Sequence, residues 1–181
     1  MQIKHRTQLH EILKQRGLTG LPVAEVGVAE GRFSQEILAW EVNIPLLYMI
    51  DAWQTLDTTG DGSSPQEWHD ANYQQAKDGV AKFGERALLL KGLSTEMANQ
   101  IADNSLGMVY LDAGHDYRNV LADLEAFYPK VVSGGIIAGH DYLCSDYDVE
   151  RAVNDFAKGR FEINVIPETN VNDAGFWFVK P

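Results

Sequence analysis

The sequence predicts an α/β protein built on a mostly parallel sheet of seven strands, with one strand reversed and helices on both faces. Three observations support this prediction. Short apolar runs alternate with segments of helical periodicity from residue 21 onward. The pentapeptide Ala-Gly-His-Asp-Tyr occurs twice, at 113–117 and 138–142, and each copy follows an apolar run. Residues 167–173 alone join the last two β-rich segments, which leaves no room for a crossover helix and predicts an antiparallel pair.

Periodicity and stop signals delimit the helices. Apolar residues at helical spacing predict an N-terminal helix within residues 1–20, and Gly17 is its natural end. Pro65 is suited to begin a later helix, Gly84 to end it, and Pro129 bars the helix before it from continuing. The helices after the first are expected at 32–40, 65–83, from 95, 117–128 and 148–158.

The apolar runs predict the strands between these helices. We expect strands at 21–27, 44–51, 87–91, 106–112, 136–138, 161–166 and 175–179, with a Ser-Gly-Gly turn at 133–135 leading into the fifth. Residues 54–65 are rich in Thr, Gly, Asp and Ser, which predicts a loop. This loop and the helix after it form a predicted insertion over 54–84. Because no linker divides the chain, residues 1–181 are predicted to form one domain.

Composition narrows the classes of partner. The chain has 181 residues, 45% of them apolar, a formal charge of −11 and a single cysteine, Cys144. Nucleic-acid affinity depends largely on Lys and Arg that neutralise phosphates, so this charge argues against a nucleic-acid partner. One cysteine excludes an intramolecular disulfide and suits a reducing cytoplasm. Since no apolar stretch is long enough to span a bilayer, we expect a cytoplasmic protein without a membrane partner, and a homo-oligomer stays open.

Both copies of the pentapeptide place His and Asp at the ends of predicted strands. Asp112 and His140-Asp141 would end neighbouring strands, whose axes are about 4.8 Å apart. Carboxylates at that spacing repel unless a cation neutralises them, which predicts a divalent metal at Asp112, His140 and Asp141. Oxygen ligands favour Mg²⁺ or Mn²⁺, and an imidazole shifts the balance toward Mn²⁺, Fe²⁺ or Zn²⁺. The alternative is that His and Asp only cap the helices that follow.

His115 is the predicted general base. It stands three residues after Asp112, one short turn beyond the strand end and so beside any hydroxyl bound to the metal. A metal lowers the pKa of such a hydroxyl, and an imidazole titrates near neutral pH, so His115 could remove the proton. Asp116 either orients the His115 ring or caps the helix that starts at Tyr117.

A turn with two glycines follows the first predicted strand. In Glu25-Val-Gly-Val-Ala-Glu-Gly31, Gly27 and Gly31 either let the backbone approach a ligand closely or serve only a tight turn. Asp51, at the end of the next strand, is typical of an acid that accepts hydrogen bonds from ribose hydroxyls. Glu25 disfavours a phosphate-bearing ligand, so the pattern favours a ribose with a cationic or zwitterionic tail. Ala29 stands where a dinucleotide-binding turn has glycine, which disfavours a dinucleotide oxidoreductase.

These residues together resemble the class I S-adenosylmethionine-dependent methyltransferases over nearly the whole chain. The spacing Glu25-x-Gly27-x-x-x-Gly31 is similar to that family's first motif, and Asp51 to its second-strand acid. Residues 109–117 and 134–142, with Asp123-Leu-Glu125 between them, resemble the metal-dependent small-molecule O-methyltransferases, such as the macrocin and mycinamicin sugar methyltransferases. In those sugar enzymes an acid would be expected at position 140, where this chain has His.

The resemblance implies a Rossmann-like fold, S-adenosylmethionine as cofactor, a divalent metal and a small-molecule hydroxyl as acceptor. It implies Asp112 and Asp141 as metal ligands and His115 as general base, and the insertion over 54–84 would shape the acceptor pocket. Trp53 would pack on the adenine or lie at the base of a lid, and Ser94 would contact adenine or cap the next helix. The residues expected at the cofactor are Glu25, Gly27, Gly31, Asp51, Ala52, Trp53, Ser94 and Asp112.

Two other functions stay open. In one, the protein is a metal-independent methyltransferase whose base is His115 alone. In the other, a protein of the same fold binds the nucleoside and catalyses nothing. A pure binder would not need Asp112, His115, His140 and Asp141 at one edge, so these residues argue against the second alternative.

Overall fold

A seven-stranded sheet forms the centre of the molecule in the computed structural model, which describes residues 2–57 and 60–181. The strands are β1 (Val23–Val26), β2 (Leu47–Asp51), β3 (Ala87–Lys91), β4 (Leu106–Leu111), β5 (Val131–Gly139), β6 (Asn164–Ile166) and β7 (Gly175–Val179). Their order across the sheet is β3-β2-β1-β4-β5-β7-β6. Strand β7 runs opposite to the other six strands, so the predicted sheet with one reversed strand is confirmed.

Helices cover both faces of the sheet, as predicted. They are α1 (Leu9–Gln15), α2 (Arg32–Ala39), α3 (Gln66–Val80), α4 (Ser94–Met97), α5 (Tyr117–Phe127) and α6 (Val149–Ala157). Apolar side chains of α1, α2 and α3 form one core cluster with the sheet, and those of α4, α5 and α6 pack in a second. Strands β1 and β4 are buried along their whole length between the two clusters. This explains why both read as continuous apolar runs apart from Glu25.

The predicted turn at 133–135 is not a break in the chain's extended structure. Strand β5 is continuous, and its register against β4 shifts instead: Leu106 pairs with Val131, whereas Met108 pairs with Ile136. Gly134, at φ 80°, takes up part of the extra length. The Ser-Gly-Gly sequence therefore produces a bulge within one strand.

The N-terminal segment consists of two pieces where one helix was predicted. A 3-10 turn at Arg6–Gln8 precedes α1, and its backbone is tied to the connection between β6 and β7. This arrangement brings Arg6 to the sheet edge where the parallel strands end, called here the carboxyl edge. Within the predicted loop 54–65, Thr58 and Thr59 lie outside the described residues. In the described part of the chain, no helix has the length and apolarity needed to cross a bilayer.

Candidate active site at the carboxyl edge

The turn between β1 and α2 depends on Gly27. Its φ is 88°, and a Cβ atom there would lie 1.9 Å from the carbonyl oxygen of Asp112. Only glycine lets the end of β4 come so close to this turn. Gly31, at φ 79°, forms the N-cap of α2, and a Cβ there would lie 3.0 Å from Ala76 of α3. At both glycines the close approach is to the protein's own chain, and the predicted approach to a ligand stays a prediction.

Asp51 connects this turn to the end of β2. Its Oδ2 accepts hydrogen bonds from the backbone N–H groups of Val28 and Ala29, each at 2.9 Å, and its Oδ1 accepts one from Trp53 at 2.8 Å. Ala29 and Trp53 have φ angles of 48° and 41°, which side chains other than glycine rarely adopt. One carboxylate therefore holds two strained residues, and Ala52 lies between Asp51 and Trp53.

Trp53 lies underneath the turn. Its side chain is fully buried, its Nε1–H donates to the carbonyl of Ala29 at 2.9 Å, and its ring meets Tyr73 of α3 edge-on at 4.9 Å. In this position the indole supports the turn through its hydrogen bond to Ala29, and a place at the base of a lid stays a prediction. Contact of Trp53 with a cofactor stays a prediction.

Glu25 is buried behind the same turn, on β1. Its carboxyl accepts a hydrogen bond from the hydroxyl of Ser34 on α2. Burial raises the pKa of Glu25 to about 8, against the opposing effect of the Ser34 hydrogen bond. Glu25 therefore carries its proton at neutral pH, and its contact with a cofactor stays a prediction.

Four side chains from β4, β5 and the loops after them meet at the carboxyl edge. The Nε2 atom of His115 lies 2.9 Å from Asp141 Oδ2 and 3.7 Å from Asp112 Oδ1. His140 Nδ1 lies 3.1 Å from Asp141 Oδ1 and 4.0 Å from Asp112 Oδ1. The structure thus brings together all four predicted residues, and Asp141 adopts a strained φ of 56° to take part.

Asp112, His115 and Asp141 form the tightest part of this group. Each offers one atom that can bind a metal, and these atoms all lie within 4.8 Å of one another. The Nε2 atom of His115 is buried, and its contact with Asp141 lacks the angle of a hydrogen bond. The predicted ligand set contained His140 instead, so the geometry adds His115 as a candidate ligand.

Opposite charges dominate the electrostatics of the group. Burial by itself would lower the pKa of His115, but the carboxylates of Asp112 and Asp141 raise it to about 9. Burial would likewise raise the pKa of Asp141, but His115 and His140 hold it well below its usual range. His115 and Asp141 therefore attract each other as imidazolium and carboxylate.

Asp116 was predicted either to orient the His115 ring or to cap α5, and its hydrogen bonds decide between these roles. The Asp116 side chain caps α5 by accepting hydrogen bonds from the N–H groups of Arg118 and Asn119, which confirms the capping alternative. The His115 ring instead stacks on Tyr147 at 4.3 Å. Sequence reasoning missed Tyr147, because it lies in a loop without periodicity.

Ser94 has a partner that the sequence did not suggest. Leu93 is the N-cap of α4, so the prediction that Ser94 caps this helix is wrong. The Ser94 hydroxyl instead donates a hydrogen bond to the buried Asp123 of α5. Burial raises the pKa of Asp123 to about 6. Asp123 also lines a small cavity with Asp112, His115 and His140. A contact of Ser94 with adenine stays a prediction.

Fold and site together define a class of protein. In the strand order, β2 and β4 lie on opposite sides of β1, so the chain reverses direction across the sheet at β1. Ligands of open α/β sheets bind at such a switch point, beyond the carboxyl ends of the strands. The turn over residues 27–31, called here the glycine turn, lies there together with Asp51. The His/Asp group, which consists of Asp112, His115, His140 and Asp141, lies there as well.

A family model described as a methyltransferase domain matches residues 24–142, well over half of the chain. The protein therefore belongs to this methyltransferase family. The match includes the turn, Asp51 and the His/Asp group. It confirms the predicted class, an S-adenosylmethionine-dependent methyltransferase of class I, and the prediction of an enzyme.

Solved structures with the same fold have several activities. A Streptococcus mutans protein in complex with SAH (S-adenosylhomocysteine) has a TM-score of 0.69 at 12% identity, with 99% of each chain covered. The O-methyltransferase NovP has a TM-score of 0.66 at 15% identity, with 96% of this chain and 79% of that chain covered. An rRNA methylase from Streptococcus thermophilus has a TM-score of 0.66 at 12% identity, with 96% and 94% covered. No curated protein matches the sequence significantly.

Proposed function

We propose that this methyltransferase transfers the methyl group of S-adenosylmethionine to a hydroxyl of a small molecule, with the help of a divalent metal. The observation that carries the proposal is the convergence of Asp112, His115 and Asp141 within 4.8 Å, next to the glycine turn. A methyl donor and an acceptor hydroxyl must meet within a few ångströms, and both sets of residues lie at one edge of the sheet.

The donor set fits a divalent metal. Two carboxylates and one imidazole from the described residues suit Mn²⁺ or Mg²⁺, and Fe²⁺ or Zn²⁺ are compatible with the imidazole. When bound, such an ion lowers the pKa of a coordinated hydroxyl. In the proposal, Asp112 and Asp141 hold the ion with one imidazole, and the other imidazole accepts the proton of the acceptor. His115 was predicted as the base, and its position also suits a ligand, so the two histidines are to be told apart by experiment.

Asp51 is the residue proposed for the cofactor ribose. Its oxygens accept three backbone N–H bonds, and a carboxylate has about four acceptor positions, which leaves room for a ribose hydroxyl. The turn over 27–31 would then lie beside the amino-acid tail. A small-molecule acceptor rather than RNA is favoured by the charge of −11, since RNA affinity requires phosphate neutralisation.

Metal content of purified variants tests the proposal. Asp112→Asn and Asp141→Asn should lose bound Mn²⁺ in equilibrium dialysis while their circular dichroism spectra stay native. Asp103→Asn is the matched control, because Asp103 is an exposed carboxylate that pairs with Lys130 elsewhere on the surface. The histidine whose alanine variant also loses the metal is the ligand, and the other is the candidate base. Wild-type protein that binds no divalent ion would support the metal-independent alternative.

A further inference from the structure

Arg6 reaches the carboxyl edge from the N-terminal segment. Its Nη1 atom lies 3.7 Å from Asp112 Oδ2, and its guanidinium lies over the ring of Phe33, 4.7 Å from the ring centre. Phe33 is in the first turn of α2, directly after Gly31. Arg6 is therefore beside the turn over 27–31 and has no counterpart in the motifs of the sequence.

The backbone around Arg6 is fixed by Glu168, in the connection between β6 and β7. Glu168 Oε1 accepts a hydrogen bond from the N–H of Arg6 at 2.6 Å, and its Oε2 lies 3.0 Å from His5 Nε2. Glu168 itself has a strained φ of 53°. Arg6 is therefore positioned before any ligand arrives, since Glu168 holds its backbone and Phe33 contacts its guanidinium. Such positioning reduces the entropic cost of binding.

The donors of Arg6 are largely unfilled. A guanidinium has five N–H donors, and its contact with Asp112 at 3.7 Å is too long for a hydrogen bond. The guanidinium also interacts with the fully buried hydroxyl of Tyr110, which has no hydrogen bond of good geometry among the described residues, so this neighbour does not use up the donors of Arg6. Half-buried guanidinium groups bind carboxylates in pairs of parallel hydrogen bonds, so this position suits a carboxylate.

Asp112 separates Arg6 from the proposed metal group. Its Oδ1 faces His115 and His140, whereas its Oδ2 faces Arg6. A carboxylate bound at Arg6 therefore lies on the side of the glycine turn, where the proposed function places the amino-acid tail of the cofactor. That tail carries an ammonium beside its carboxylate. The Asp112 carboxylate, 3.7 Å from Arg6, could attract this ammonium.

We propose that Arg6 binds the α-carboxylate of the methionine tail of S-adenosylmethionine, an inference that rests on the proposed function. Arg6 would thus distinguish cofactors that carry this carboxylate from those that lack it. An anionic group on the acceptor has the same chemistry, and the side of Asp112 on which Arg6 lies favours the cofactor.

Two ligands that differ only in the carboxylate test this inference by calorimetry. S-adenosylhomocysteine carries it, and S-adenosyl-3-thiopropylamine keeps the adenosine, thioether and ammonium but lacks it. Wild-type protein should prefer the first ligand by roughly 10- to 100-fold, the range of hydrogen bonds to charged groups. Arg6→Met should remove this preference by weakening S-adenosylhomocysteine, whereas the amine ligand should bind at least as tightly as to wild type, because a cation beside its ammonium is lost. Arg6→Lys should keep part of the preference. Arg16→Met, an exposed arginine of the same segment, should behave as wild type.

The other outcomes overturn the inference in distinguishable ways. Equal weakening of both ligands by Arg6→Met would show a purely structural role. Wild-type protein that binds both ligands equally, or an Arg6→Met variant that binds both ligands with wild-type affinity, would exclude Arg6 as the partner of the cofactor carboxylate and leave an anionic acceptor as its partner. If wild-type protein binds neither ligand, the proposed placement of the cofactor fails together with the inference.

Discussion

Position 27 has no space for a Cβ atom, so only glycine fits there. Gly27→Ala should lower the free energy of unfolding by about 3 kcal/mol or more, because a Cβ would lie 1.9 Å from the Asp112 carbonyl oxygen. Gly17→Ala is the matched control, since Gly17 has a φ of 69° but open space around it. The control should cost only the backbone strain, about 1–2 kcal/mol. Urea denaturation of both variants measures the difference, and equal losses would show that the close contact is not rigid.

Glu25 makes stability depend on pH. Its pKa is about 8 in the folded protein and 4.5 for an ordinary glutamate, so the folded state binds more protons between these values. Its contribution is therefore fully present below pH 4.5 and is lost as the pH rises through 8. Glu25→Gln removes this loss, so the variant should gain on the order of a few kcal/mol over wild type between pH 5 and pH 9. Thermal melts across that range test it, and parallel curves would contradict the burial of the carboxyl.

The sequence predicts the placement of some residues at the carboxyl edge and not of others. Asp112, His115, His140 and Asp141 were predicted to meet because each follows a strand end, and parallel strands end at one edge. Arg6 could not be predicted, because its partner Asp112 is distant in sequence and the chain's fold alone brings them together.

At the scale of elements, Asp116 is the cap of α5 and not a partner of His115. Asp116→Ala should lower the free energy of unfolding by about 1 kcal/mol, the usual cost of losing an N-cap. Metal uptake should stay at the wild-type level, because the His115 ring contacts Tyr147 instead. Urea denaturation and metal dialysis on the same preparation measure both effects. Loss of metal by this variant would restore the alternative in which Asp116 orients the imidazole.

Element boundaries were predictable where the sequence changes character abruptly. The bounds of β3 and β7 match the predicted 87–91 and 175–179, since polar residues or turns flank both. The bulge in β5 was read as a turn, because Ser-Gly-Gly suits either one and only pairing with β4 decides between them. Trp53 was expected to pack on adenine or to lie at the base of a lid, and no local pattern encodes its burial or its hydrogen bond to Ala29.

At the scale of the whole molecule, the fold gathers three separate segments at the switch point of the sheet. The glycine turn follows β1, the His/Asp group follows β4 and β5, and Arg6 arrives from the N-terminus and is held by Glu168 near the other end. Cofactor binding at this place should tie these segments together. Ligand at 100 times its dissociation constant adds about 2.7 kcal/mol to the free energy of unfolding, so SAH should raise the melting temperature.

Calorimetric titration with SAH and with NADH shows whether the carboxyl edge is a site for S-adenosylmethionine. We predict that one SAH binds per chain, that NADH does not bind, and that Asp51→Ala weakens SAH while leaving Mn²⁺ uptake unchanged. The expected selectivity follows from Ala29, which stands where a dinucleotide-binding turn has glycine, and from the side chains of Asp51 and Asp112 beside the turn, which disfavour a pyrophosphate. Binding of NADH without binding of SAH would contradict the assignment of the carboxyl edge as a site for S-adenosylmethionine.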